Sequence, residues 1–194
     1  MKWKTLGSEL PKRNNPLTKL LGRGLFRGLG WRMEGEFPNE AKLIVAVAPH
    51  TSNIDFLLAV GVFLGHGLNV SYLAKKSLFT FPLGPVMSAL GGIAVDQNAS
   101  QGMVEQLAKR FNNTQKLVLG ITPEGTRGKV REWKKGFALI AKASNVPILP
   151  AIADYSSRVV RLEPLITQVQ DTDQVMAKMK ALAQQATPRF PHQY

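Results

Sequence analysis

The chain reads as an α/β protein with a mostly parallel central sheet flanked by helices. A length of 194 residues suits one domain able to bury a core. From Arg32 onward, short apolar runs alternate with helical stretches, the pattern of strand-helix-strand units. Runs such as Leu43-Ile44-Val45-Ala46-Val47 lack the polar alternation of a half-exposed strand, so both faces of the sheet are expected to be covered.

In chain order, Pro16 to Trp31 repeats Leu17, Leu20, Leu21, Leu25, Phe26, Leu29 and Trp31, with Lys19, Arg23 and Arg27 along one edge. The pattern suits an amphipathic helix, lying at a membrane interface or packed on the core. Its glycines, Gly22, Gly24, Gly28 and Gly30, each cost about 0.5–1 kcal/mol of helix stability relative to alanine. Strands are expected at 32–36, 43–48, 70–74, 93–95, 117–122, 148–153 and 158–162, and helices at 54–64, 101–112, 134–143 and 172–186. Pro188 to Tyr194 reads as a loose tail. The division is a basic amphipathic segment, 1–31, and a single α/β domain, 32–194.

Composition narrows the chemistry. With no cysteine, protein thiolates are unavailable as nucleophiles or metal ligands. The formal net charge is +12, and the first 32 residues set Lys2, Lys4, Lys12, Arg13, Lys19, Arg23, Arg27 and Arg32 against Glu9 alone. Such an arm points to an anionic partner, nucleic acid or acidic lipid. Neither an RNA-binding motif nor a recognition-helix signature accompanies it, so no nucleic-acid partner is expected, and a basic nucleic-acid-binding domain is kept only as the alternative from another class. Without an apolar stretch behind the basic start, no signal peptide is expected. The longest apolar run, Phe56 to Leu64, is about half of the ~20 residues that cross a bilayer, so no transmembrane helix is expected either.

Two segments could carry chemistry. Pro49-His50-Thr51-Ser52-Asn53-Ile54-Asp55 follows a buried strand and precedes an apolar helix, and ligands of open α/β sheets bind beyond the carboxyl ends of strands. If Thr51 or Ser52 caps that helix, Asp55 falls in its first turn and can orient the His50 ring, which makes a general base. Histidine and aspartate at this spacing also meet in networks without catalysis. Ser52 lies in no nucleophile elbow. The second segment, Thr122-Pro123-Glu124-Gly125-Thr126-Arg127, also follows an apolar strand. Its glycine, its guanidinium and nearby Lys129, Arg131, Lys134 and Lys135 suit a phosphate, although Glu124 and Arg127 could equally pair for structure. His66 and His192 have no surrounding ligand pattern, and no metal is expected.

In this order the segments resemble the glycerophospholipid acyltransferases related to 1-acyl-glycerol-3-phosphate acyltransferase, over roughly Gly30 to Ala153. The resemblance implies a glycerol-3-phosphate acyltransferase-like fold. His50 and Asp55 match the H-x4-D block, implying a histidine base oriented by the aspartate. Glu124-Gly125-Thr126-Arg127 matches the E-G-T-R block, implied to bind the glycerol phosphate. Lys75 is similar to the lysine leading into the second block, and Pro147 to the proline-containing fourth block, implied to help form the donor environment. Gln97 stands where the family usually places a phosphate-contacting arginine, and a neutral amide cannot supply that charge-assisted bond.

The resemblance implies transfer of an acyl chain from acyl-CoA or acyl carrier protein to a hydroxyl of a lysophospholipid, with no cofactor. The alternative acceptor is another lysolipid, such as a lyso-aminolipid, to which Gln97 points. An anionic membrane surface is the expected partner and the cytoplasmic face of a membrane the expected location, held peripherally through residues 16–31. Acyl-chain length, donor carrier and oligomeric state stay open.

Overall fold

The computed structural model describes residues 3–95, 102–130 and 132–194. Among these, seven strands form one sheet: β1 (Arg32–Glu34), β2 (Lys42–Ala48), β3 (Ser71–Lys75), β4 (Gly92–Val95), β5 (Leu117–Ile121), β6 (Ile148–Asp154) and β7 (Val159–Leu162), in the order β1-β7-β6-β2-β5-β3-β4. Only β6 and β7 pair antiparallel; the other neighbours are parallel. All seven lie within two residues of where the sequence pattern places them; the central strands β2, β5 and β6, buried on both faces, are the apolar runs.

The helices are α1 (Pro16–Gly28), α2 (Asn53–His66), α3 (Gly84–Ala89), α4 (Met103–Asn113), α5 (Gly136–Ser144) and α6 (Thr172–Ala183). Strand β2 shows how they cover the sheet. Ile44, Ala46 and Ala48 join one core cluster with Phe111 of α4, Phe137 of α5 and Met179 of α6. Leu43 and Val45 enter another with Leu6 and Leu10. Alternate side chains thus serve opposite faces, and α2 packs on the second, where Leu58 and Val62 meet Phe26 and Trp31.

The sequence reading missed α3 and the 3-10 turn at Lys76–Phe79. Pro82, Gly84 and Pro85 make that stretch read as loop, yet Pro85 falls in the first turn of α3, where its missing N–H costs nothing.

Residues 3–31 pack on the domain. Leu6, Leu10 and Phe26 are buried, and α1 lies against α2 through glycine. A Cβ on Gly22 would stand 2.4 Å from the Gly65 nitrogen, and one on Gly61 3.1 Å from the Phe26 Cβ. Contacts that run backward along α2 as they advance along α1 make the helices antiparallel. Arg23 donates to the Gly65 carbonyl (2.9 Å) and lies over the Trp3 ring. Leu17, Leu20 and Leu21 stay outside, each more than 60% exposed.

Candidate functional site

Strand β2 leads on to α2 and β3 in one direction across the sheet, whereas β5 leads on to α5 and β6 in the other. The loops after β2 and β5 therefore part over opposite faces, and the crevice between them is where ligands of open α/β sheets bind. His50 follows β2 and Glu124 follows β5.

Ser52 is the N-cap of α2, its hydroxyl accepting the Ile54 N–H at 2.9 Å, and Asp55, third residue of the helix, reaches back to the cap backbone. This is the geometry expected from the sequence, and it occupies the Ser52 hydroxyl in capping. Asp55 Oδ2 accepts the N–H groups of Thr51 and Ser52, both at 2.8 Å. The Tyr155 hydroxyl donates to Oδ1, and the Tyr155 ring meets Trp31 edge-on at 4.7 Å. His50 Nδ1 stands 3.4 Å from Asp55 Oδ2, in ion-pair range but off hydrogen-bond geometry. Burial alone would push the Asp55 carboxyl up; the His50 ring, the Tyr155 hydroxyl and the Ser52 N–H outweigh it and hold the group below its usual range. Burial in turn raises the Tyr155 phenol, as does the bond to Asp55.

Glu124, 3% exposed, accepts the His50 backbone N–H on Oε1 at 2.9 Å. Its Oε2 has no hydrogen-bond partner among the described residues. Burial pushes this carboxyl up to about 7 against the backbone N–H groups that favour its charge. At Gly125 the turn closes on Thr122 with φ +67°, and a Cβ would stand 2.8 Å from the Lys134 side chain. Glycine takes that positive φ without strain and leaves room for the Lys134 side chain.

Between the two loops lies a cleft of about 550 Å³, open mouth included, lined by His50, Glu124, Trp133, Lys180 and Tyr194 among others. Residues 188–194 are packed there rather than loose. Phe190 N–H donates to Thr51 Oγ1 at 3.3 Å. The Gln193 amide nitrogen sits 2.9 Å from the Thr51 carbonyl and 3.0 Å from that of Arg127. On the other side of Asp55 a nearly wholly apolar cavity runs between α2 and the sheet, lined by Val47, Leu58, Val62 and Ala151.

The structure brings His50, Asp55, Glu124 and Gly125 together, with Thr126 and Arg127 exposed on the same loop. Lys75 ends β3, at the same edge of the sheet beyond β5. Pro147 is elsewhere: it precedes β6, and its carbonyl accepts the Ile44 N–H at 3.0 Å. Ile44 lies six residues before His50, roughly 20 Å at ~3.3 Å per residue. The position expected to sit beside the donor is thus at the amino edge of the sheet. Gln97 and Arg131 lie outside the described residues. Tyr155, Lys180, Gln193 and Tyr194 were not foreseen; only Tyr155 carried a signal, since it directly follows β6. Among the described residues no three histidine or acidic side chains converge as a metal site.

Four likenesses bear on this arrangement. The family described as acyltransferase matches residues 32–154. A 1-acyl-sn-glycerol-3-phosphate acyltransferase of Saccharomyces cerevisiae is 31% identical over 144 residues, 70% of this chain and 46% of that one. One of Limnanthes alba is 28% identical over 57% of this chain and 41% of its own. The chain thus spans less than half the length of these relatives. Among solved structures, the 1-acyl-sn-glycerophosphate acyltransferase PlsC of Thermotoga maritima superposes with a TM-score of 0.65 at 19% identity, over 87% of this chain and 76% of that one, a likeness of fold.

Proposed function

Because the chain belongs to the acyltransferase family, we propose that it moves a fatty acyl group from a thioester donor, acyl-CoA or acyl carrier protein, to a hydroxyl of a lysophospholipid such as 1-acyl-glycerol-3-phosphate. The observation that carries the reading is the His50 ring beside Asp55, 3.4 Å away, on the wall of a cleft at the carboxyl ends of the strands.

With Nδ1 turned to Asp55, Nε2 is the nitrogen left for the acceptor. It takes the hydroxyl proton as the oxygen bonds to the thioester carbonyl carbon, and Asp55 stabilises the imidazolium. The tetrahedral intermediate expels the thiolate, which takes the proton from His50. No acyl-enzyme forms.

Glu124 holds the His50 backbone, and its unpartnered Oε2 offers a site for a polar group of the acceptor. Arg127, with Lys134 across Gly125 and Lys180 in the cleft wall, supplies positive charge for a phosphate.

No helix among the described residues is long and apolar enough to cross a membrane. Peripheral attachment through the exposed leucines of α1 suits an acceptor held in a bilayer. The test is purified protein with lysophosphatidic acid, other lysophospholipids and a lyso-aminolipid, each with acyl-CoA and with acyl carrier protein donors, read by mass spectrometry. Acylated lysophosphatidic acid is expected. Product from the lyso-aminolipid alone would move the assignment to that acceptor, and no product from any pair would overturn the reading.

A further inference from the structure

The segment between β3 and β4 holds apolar side chains out of the core. Phe81 is 90% exposed, Leu83 and Val86 are each 55% exposed. The backbone beneath them is firmly held. Gly84 N–H donates to the Thr80 carbonyl at 2.7 Å, and Gly84 lies so close on Phe79 that a Cβ would stand 2.2 Å from the Phe79 carbonyl oxygen. The Tyr72 hydroxyl donates to the Met87 carbonyl at 3.3 Å, and the Arg13 guanidinium to that of Ala89.

Charge points to the occupant. From Phe56 to Val95 the sequence contains no aspartate or glutamate, while exposed Lys75 and Lys76 stand at the base of the segment. An apolar projection flanked by ammonium groups complements an anionic lipid surface, where side chains enter the acyl boundary and lysines meet headgroups. Position agrees with charge. Strands β2, β3 and β5 are parallel neighbours, so the tip that follows β3 stands at the same edge of the sheet as His50.

We propose that the 76–90 segment is a second membrane-contact element, inserting Phe81, Leu83 and Val86 into the headgroup-acyl boundary of an anionic bilayer and turning the site edge of the sheet toward the lipid. The inference rests on the reading above that the acceptor lies in a membrane.

The absence of native cysteine allows the test. Phe81→Cys, labelled with an environment-sensitive dye, is mixed with vesicles of phosphatidylcholine and phosphatidylglycerol. A blue shift and quenching by brominated lipid are expected, with neither at a labelled Lys109→Cys on the opposite face. Phe81→Ser is expected to weaken vesicle partitioning about tenfold while leaving turnover of short-chain, water-soluble substrates unchanged. An unshifted label at position 81 on vesicle-bound protein would overturn the proposal. So would a blue shift that appears without vesicles alongside a dimer in sedimentation equilibrium. Loss of acyl transfer by the unsubstituted protein, read separately, would instead strike the proposed function.

Discussion

The Tyr155 hydroxyl donates to Asp55 Oδ1 while Oδ2 takes the N–H groups of Thr51 and Ser52. The carboxylate beside His50 is therefore held on both oxygens. Tyr155→Phe keeps the ring against Trp31 and removes one bond to a charged group, a contribution of about 1.5–3 kcal/mol. The expected result is a fall in kcat of tenfold or more with little change in KM. Asp55, relieved of that bond, rises toward its usual range but stays ionised where the enzyme works, so the loss is read in kcat and not in KM. A wild-type kcat would leave Tyr155 a packing residue.

His50→Ala removes the proposed base. Turnover is expected to fall by about a hundredfold to ten-thousandfold, the factor that positioned proton transfer supplies, with an unchanged circular dichroism spectrum because the His50 backbone bond to Glu124 survives. Retained turnover would exclude His50 from that role.

Glu124 makes stability depend on pH in a definite direction. Burial pushes its carboxyl from an ordinary 4.5 up to about 7, so its contribution is full below about 4.5 and is lost as pH rises through 7. Glu124→Gln stays neutral and can still accept the His50 N–H. Its stability relative to the parent is expected to grow by about 1–3 kcal/mol between pH 5 and 8, measured by urea denaturation. A constant difference would mean that Glu124 titrates normally.

The helical glycines of α1 are not equivalent. Gly22→Ala drives a methyl group toward the Gly65 backbone, and overpacking of this kind costs about 1–3 kcal/mol. Gly24→Ala meets nothing within 4 Å and is expected to stabilise by about 0.5–1 kcal/mol through helix propensity. Melting temperatures should move in opposite directions.

Deleting residues 1–31 would remove buried Leu6, Leu10 and Phe26 and disrupt the fold along with any attachment. The triple change of Leu17, Leu20 and Leu21 to serine alters exposed side chains alone. It is expected to reduce co-sedimentation with anionic vesicles while keeping the melting temperature within a few degrees; undiminished co-sedimentation would dismiss α1 as an attachment face.

Much of this was legible in the chain. Strands buried on both faces must be continuous apolar runs, and a serine three residues before an aspartate at the head of an apolar run states a capping box; hence the sheet and the His50 turn could be read directly. The separation of Pro147 from His50 and Glu124 was legible too, since those two follow their strands whereas Pro147 precedes one, and a parallel sheet sends such positions to opposite edges.

By itself the sequence determined the element pattern, the acid and imidazole at the start of α2, and the glycine turn after β5, because each rests on periodicity or on contacts a few residues apart. Only the tertiary structure decided that Tyr155, 100 residues from Asp55, completes that carboxylate's bonds, that Gln193 lies across the cleft, and that glycines unfavourable to a lone helix let α1 pack on α2. Those relationships depend on which strands lie side by side and how closely two backbones approach, and no local pattern of residues encodes either.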